Sequence, residues 1–220
     1  MITLARNKYP EETVNLILET ASRLFVEKGY ERTSVQDIVN ELGGLSKGAI
    51  YHHFKSKEEM LVAVTNKMSE ESNKMLFEIR NRTDLTGKEK LKKLLSDSVN
   101  RPVHDSIFSA APNIRSSPAL VSSILLSSVE NTVPEYVLPI IMQGIEDGSI
   151  HTDYPEELAE LIMLVGNVWL DPMIFDDPPD KICRKCILYD RMLRAFGLDI
   201  IDDDIIERLR SLTEMYNKNK

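Results

Sequence analysis

The stretch TSVQDIVNELGGLSKGAIYHHFKSK, Thr33 to Lys57, constrains this 220-residue chain more than any other. Ser34 with Asp37 three residues on has the spacing of a reciprocal helix N-cap. Val35, Ile38, Val39 and Leu42 then recur at i, i+3, i+4 and i+7, the apolar face of a short helix. Gly43-Gly44 stops that helix, because glycine enters the left-handed backbone a C-terminal cap needs. Leu45 plugs the turn, Ser46 caps a second helix, and Ala49, Ile50 and Phe54 give it an inward face. Ser56 and Glu59 cap the next. Two short helices about a glycine-containing turn form a helix-turn-helix, whose second helix can enter a major groove.

The run GGLSKGAIYHHFKSKEEM resembles the recognition segment of the TetR family of transcriptional regulators. That family shows G-[LVI]-[ST]-x-[GA]-x-[LIF]-Y-x-[HY]-F-x-[SN]-K-[ED]-x-[LM] near its N-terminus, and nearly every position is filled here. The likeness covers roughly residues 10 to 60; the remainder is similar in length and helical character. It implies an all-α fold, with a three-helix DNA-binding domain over residues 1–56 and a helical ligand-binding and dimerisation domain over 57–220.

The same resemblance implies roles for particular residues. Ser46, Lys47 and Gly48 stand at the start of the recognition helix, where base edges are met. Lys47 has the reach for guanine O6/N7 or a phosphate. Tyr51 and Lys55 are similar to family residues that meet phosphates, and His52 reads a base or touches backbone. Thr33 or Ser34 can donate to a phosphate at a helix N-terminus. His53 and Phe54 read as packing residues.

Upstream, Arg6 and Lys8 lie on a short arm that is either a frayed terminus or a DNA contact. Pro10-Glu11-Glu12 opens a first helix, with acids favourably placed against its dipole. Val14, Ile17, Leu18, Ala21, Leu24 and Phe25 form its buried stripe, and Gly29 closes it. A fourth helix runs from Ser56 to about Arg80 through Met60, Leu61, Val64, Met68, Met75 and Leu76, long enough to belong to both domains.

Downstream, Lys88 to Val99 is a helix. Residues 101–118 read as irregular, because Pro102, Pro112 and Pro118 interrupt the pattern. Ala119 to Val129 is a helix, and Pro134 to Asp147 another that Pro139 kinks and Gly148 stops. Pro155 opens a helix reaching Trp169. Asp180 to Phe196 is strongly amphipathic, and a last helix runs from Asp203 to about Tyr216. The two helices at Pro155 to Leu170 and Asp180 to Phe196 match the pair through which family members dimerise. Phe108, Tyr136, Met142, Met163, Asn167, Trp169 and Met173 are the candidate ligand-binding residues, since methionine and aromatic side chains line adaptable pockets.

Charge complicates the DNA reading. The net charge is −8, and the first 60 residues hold 8 basic and 9 acidic side chains. Phosphate contact needs a local basic surface rather than a basic total, and Lys47, Lys55 and Lys57, with Arg6 and Lys8, can supply one. No run approaches the length of a membrane span, and no apolar leader opens the chain, so the sequence predicts a cytoplasmic protein. Cys183 and Cys186 form a C-x-x-C inside a helix. Core packing is one reading; thiol redox exchange is the other.

The expectation is therefore a homodimeric repressor that binds palindromic double-stranded DNA and is released by a small-molecule effector. No cofactor, metal site, membrane contact or catalytic constellation is expected. The alternative is a small-molecule-binding or thiol-redox module whose helix-turn-helix is idle.

Overall fold

The computed structural model describes residues 10–110, 115 and 118–220; the arm carrying Arg6 and Lys8, and Pro112, lie outside them. The described residues are helices and connecting turns, with no strand among them. They fall into two compact units, Met1–Met68 and Ser69–Lys220. The division lies inside the fourth helix rather than at residue 57, where the sequence reading placed it. Met60, Leu61 and Val64, early in that helix, are all buried.

The first unit contains α1 (Pro10–Lys28), α2 (Val35–Leu42), α3 (Lys47–His53) and the start of α4 (Lys57–Arg80). Ile17, Leu18, Ala21, Leu24 and Phe25 of α1 are buried, as the apolar spacing predicts, together with Tyr30, Ile38, Ile50 and Phe54. The ring of Tyr30 meets that of Phe25 edge-on, 5.2 Å between centroids.

The second unit contains α5 (Gly87–Val99), α6 (Pro102–Ala110), α7 (Pro118–Ser127), α8 (Leu138–Glu146), α9 (Pro155–Leu164), α10 (Pro172–Phe175), α11 (Pro179–Ala195) and α12 (Asp203–Asn219). α5 packs on α8 and α12, and α12 also packs on α11 and α6. Its main core runs through Leu91, Leu94, Tyr136, Ile140, Ile141, Leu158, Ile162, Ile182, Cys186, Tyr189 and Leu193.

Three expectations need correction. Residues 102–110 are helical, because Pro102 occupies the first turn of α6, where its missing N–H has no helical partner to lose. The helices expected on either side of residues 130–133 are joined by a π-helical segment, Ser128–Val137. There the Leu138 N–H bonds the Val133 carbonyl, five residues back, so Pro134 sits in a widened turn instead of breaking the run. Pro139 has no N–H for the Glu135 carbonyl four residues before it, and Arg80 Nη1 donates to that oxygen at 2.8 Å. The helix from Pro155 likewise ends in a π-helical segment, Val165–Trp169.

The phrase QGIEDGSI, residues 143–150, has a structural explanation. α5 crosses α8 so closely that a Cβ on Gly87 would lie 2.3 Å from Gly144 Cα. The Gly87 N–H donates to Asp147 Oδ2 at 2.8 Å and the Lys88 N–H to Ser149 Oγ at 3.1 Å, so the turn after α8 caps α5. Lys90, almost fully buried, donates to the Arg80 carbonyl at 2.7 Å and to Gln143 Oε1.

Candidate nucleic-acid interface

Three helix starts build the candidate interface, each set by a serine cap. The Asp37 N–H donates to Ser34 Oγ at 3.1 Å, and the Ser34 N–H donates back to Asp37 Oδ2 at 2.8 Å. The Ala49 N–H donates to Ser46 Oγ at 3.2 Å. At α4 the Glu59 N–H donates to Ser56 Oγ, and Glu59 Oε2 accepts from the Lys55 N–H. Gly43, with φ +62°, ends α2 in the left-handed conformation expected of it. The local sequence thus dictates the turn between α2 and α3.

These caps leave one face of α3 to solvent. Ser46, Lys47, Gly48, Tyr51 and His52 are exposed, and so is Lys55 just before α4. Ile50 and Phe54 are buried, which fixes the rotation of α3. Lys47 Nζ lies 5.9 Å from the centroid of the Tyr51 ring. Gly48 adopts ordinary helical backbone, and a Cβ there would meet nothing nearer than Ser46 Oγ at 3.8 Å. Packing therefore does not require this glycine, and its bare face lets another molecule approach the backbone.

Two residues offered by the sequence reading lie elsewhere. Thr33 is 1% exposed, and its hydroxyl donates to the carbonyls of Leu24 at 3.1 Å and Gly29 at 2.9 Å. It staples α1 to the turn before α2 and has no surface to offer a phosphate. Lys57 Nζ donates to the Tyr30 carbonyl at 2.9 Å and the Thr33 carbonyl at 3.2 Å, above the Tyr30 ring at 4.1 Å. It is a structural pin, not a free cation.

The acid-rich charge balance resolves locally. Asp37 is held by Ser34 and faces Lys28 at 3.7 Å, and these contacts lower its pKa, the Ser34 hydrogen bonds foremost. Glu41 pairs with Arg23 at 2.7 Å. Lys67 pairs with Glu19 at 3.1 Å. Among the described cations of this unit, Arg32, Lys47 and Lys55 have no acidic partner.

Comparison with known proteins matches this geometry. Residues 17–64 fit the family model of bacterial regulatory proteins of the tetR family, and residues 97–192 fit that of the tetracyclin repressor-like C-terminal domain. The chain belongs to the TetR family. It is 26% identical to the transcriptional repressor AcnR of Corynebacterium glutamicum, over 74% of this chain and 81% of AcnR. It is 40% identical to the uncharacterized regulator YuxN of Bacillus subtilis over 34% of this chain, a match spanning only a quarter of YuxN. A TetR-family regulator from Pectobacterium atrosepticum superposes with a TM-score of 0.57 at 23% identity, covering 87% of this chain and 97% of that one. The TetR fold is thereby shown, a helix-turn-helix followed by a helical C-terminal domain.

In the second unit of this TetR-family chain the candidate ligand-binding residues divide between two clusters and the surface. Tyr136, Met163 and Trp169 belong to the main core. Phe108 and Met173 belong to a smaller cluster with Leu212 and Tyr216. Met142 is 50% exposed on α8, which excludes it from that unit's interior. Asn167 is exposed, and its Nδ2 donates to Ser128 Oγ at 3.1 Å.

Two polar groups in this unit escaped the sequence reading. Tyr189 is 1% exposed in the main core, and its hydroxyl has no hydrogen-bond partner among the described residues. The Asp171 carboxylate accepts from the Met173 N–H at 2.7 Å, and burial raises its pKa to about 7. Neither announces itself, because Tyr189 reads as one more residue of an apolar stripe and Asp171 as a helix cap.

The thiols do not suit redox exchange. Burial raises the pKa of Cys186 to about 12, and burial also raises that of Cys183. A reactive thiol needs the opposite shift.

Proposed function

We propose that this protein is a transcriptional repressor that binds a palindromic operator as a homodimer and leaves it when a small molecule occupies the unit of residues 69–220. The observation that carries the reading is the exposed face of α3, where Lys47, Gly48, Tyr51 and His52 stand clear of the core beside Lys55, which has no acidic partner among the described residues. The match of residues 17–64 to the tetR family model supports it. Lys47 and His52 address base edges, while Tyr51 and Lys55 address phosphates.

Dimerisation is supported by α11. Ile187, Leu188 and Met192 are exposed on that helix, and Phe196 at its end is too. An apolar stripe of this kind suits burial against the same stripe of a second copy about a two-fold axis. Two recognition helices then enter major grooves about one turn, 34–36 Å, apart. An effector releases DNA by preferring the state with a different separation, and a decisive shift needs a preference of about 5.5 kcal/mol.

Sedimentation of the protein with sheared genomic duplex at low salt tests this reading. Complexes holding two protomers per protected segment support it. A protein that sediments alone, both as purified and after unfolding and refolding to strip any retained effector, overturns it.

A further inference from the structure

We infer that Arg32 is a phosphate-binding residue of the DNA interface, filling the role that buried Thr33 cannot. The inference rests on the repressor reading above and extends it to a residue outside α3 and outside the family's recognition run.

Arg32 is exposed in the turn between α1 and α2, and it makes no ion pair among the described residues. Its backbone is nonetheless held rigidly. The next residue, Thr33, is buried, with its N–H on the Tyr30 carbonyl at 3.2 Å and its hydroxyl on Leu24 and Gly29. Lys57 clasps the same turn through the carbonyls of Tyr30 and Thr33. That clasp brings the start of α4 against the turn. Arg32 lies one residue before Thr33, and Lys55 two residues before Lys57, so two cations without an acidic partner among the described residues flank a single junction. Ser34 Oγ, at the N-cap of α2, stands two residues beyond Arg32.

Acids stand nearby, with Glu31 adjoining Arg32 and Glu58 acting on Tyr30, while Asp37 is engaged by Ser34 and Glu59 by the Lys55 N–H. None of them forms an ion pair with Arg32 or Lys55 among the described residues. A guanidinium on a pinned backbone loses little freedom when it meets a phosphate, and its planar fork suits bidentate contact. Arg32 and Lys55 together form a cationic clamp for sugar-phosphate backbone. Such a clamp adds affinity without reading sequence.

The test measures binding of the whole protein to a duplex retained from a random pool and to an unrelated duplex, across a salt series. Arg32→Gln weakens both by the same factor, about tenfold. It lowers the slope of log affinity against log salt by about 2 in a dimer, one contact per half-site. Arg32→Lys restores most of the slope. Arg82→Gln, which removes a cation paired with Asp84, controls for net charge and leaves the slope unchanged. An unchanged slope in Arg32→Gln, with wild-type binding intact and Lys47→Ala impaired, overturns the role of Arg32 alone. Absence of wild-type binding to any duplex overturns the repressor reading and this inference with it.

Discussion

Lys57 Nζ lies 3.2 Å from the carbonyl oxygen of Thr33, joining the first turn of α4 to the turn that precedes α2. With the second bond to Tyr30 and the ring beneath it, this lysine holds together the frame on which α3 is displayed. Its replacement by glutamine removes two charge-assisted hydrogen bonds and a cation–π contact. The expected loss is about 2 kcal/mol of stability, read by chemical denaturation. The salt slope of DNA binding stays as in the wild type, because the charge never faces solvent freely.

Thr33→Val tests the reassignment of its neighbour. The substitution keeps shape but deletes the bonds to Leu24 and Gly29, so stability falls by about 1–2 kcal/mol. DNA affinity of the folded fraction does not change. A loss of DNA affinity in the folded variant would return the phosphate contact to Thr33.

The glycines separate into those the fold needs and those it does not. Gly87→Ala drives a methyl into the backbone of α8 and costs about 3 kcal/mol or prevents folding. Gly48→Ala places its methyl in ordinary van der Waals contact with Ser46 Oγ within α3 and stabilises the protein by about 0.5–1 kcal/mol. Thermal denaturation of the two variants should move in opposite directions.

The helix-turn-helix was legible because its determinants are local. Ser34 with Asp37, Gly43, and Ser46 act within a few residues of themselves, so spacing alone reveals them. Lys57 is not legible because its partners, Tyr30 and Thr33, are distant in sequence; Thr33 bonds back to Gly29 and Leu24, but an exposed threonine looks the same on paper as a buried one. The joined run from α7 to α8 was hidden for a related reason. Pro134 and Pro139 signal a break, and only a widened turn and Arg80 on the Glu135 carbonyl let the helix continue. Phe108, Met142 and Met163 stand in different surroundings, because methionine and aromatic side chains serve packing as readily as ligand contact.

The thiols give a further check. Cys186 is fully buried with a pKa pushed up to about 12, and Cys183 is half-buried. An aromatic disulfide reagent at neutral pH should modify at most Cys183 in the native protein, slowly, and both thiols after denaturation. Rapid native modification of both would revive the redox reading.

Tyr189→Phe removes a hydroxyl that is buried without a partner among the described residues. Stability should hold or rise by about 1 kcal/mol, since an unsatisfied polar group is lost and the ring remains. A fall of similar size would show that the phenol is bonded in solution.

The most direct measurement is selection of duplexes from a random pool by the wild-type protein, run beside a Lys47→Ala, Tyr51→Phe, Lys55→Ala variant. The account predicts enrichment of a palindrome by the wild type. The variant should lose it while keeping the same fold by circular dichroism. Equal enrichment by both proteins would show that DNA is read elsewhere than on the exposed face of α3, and enrichment by neither, even after refolding, would show that the face is idle.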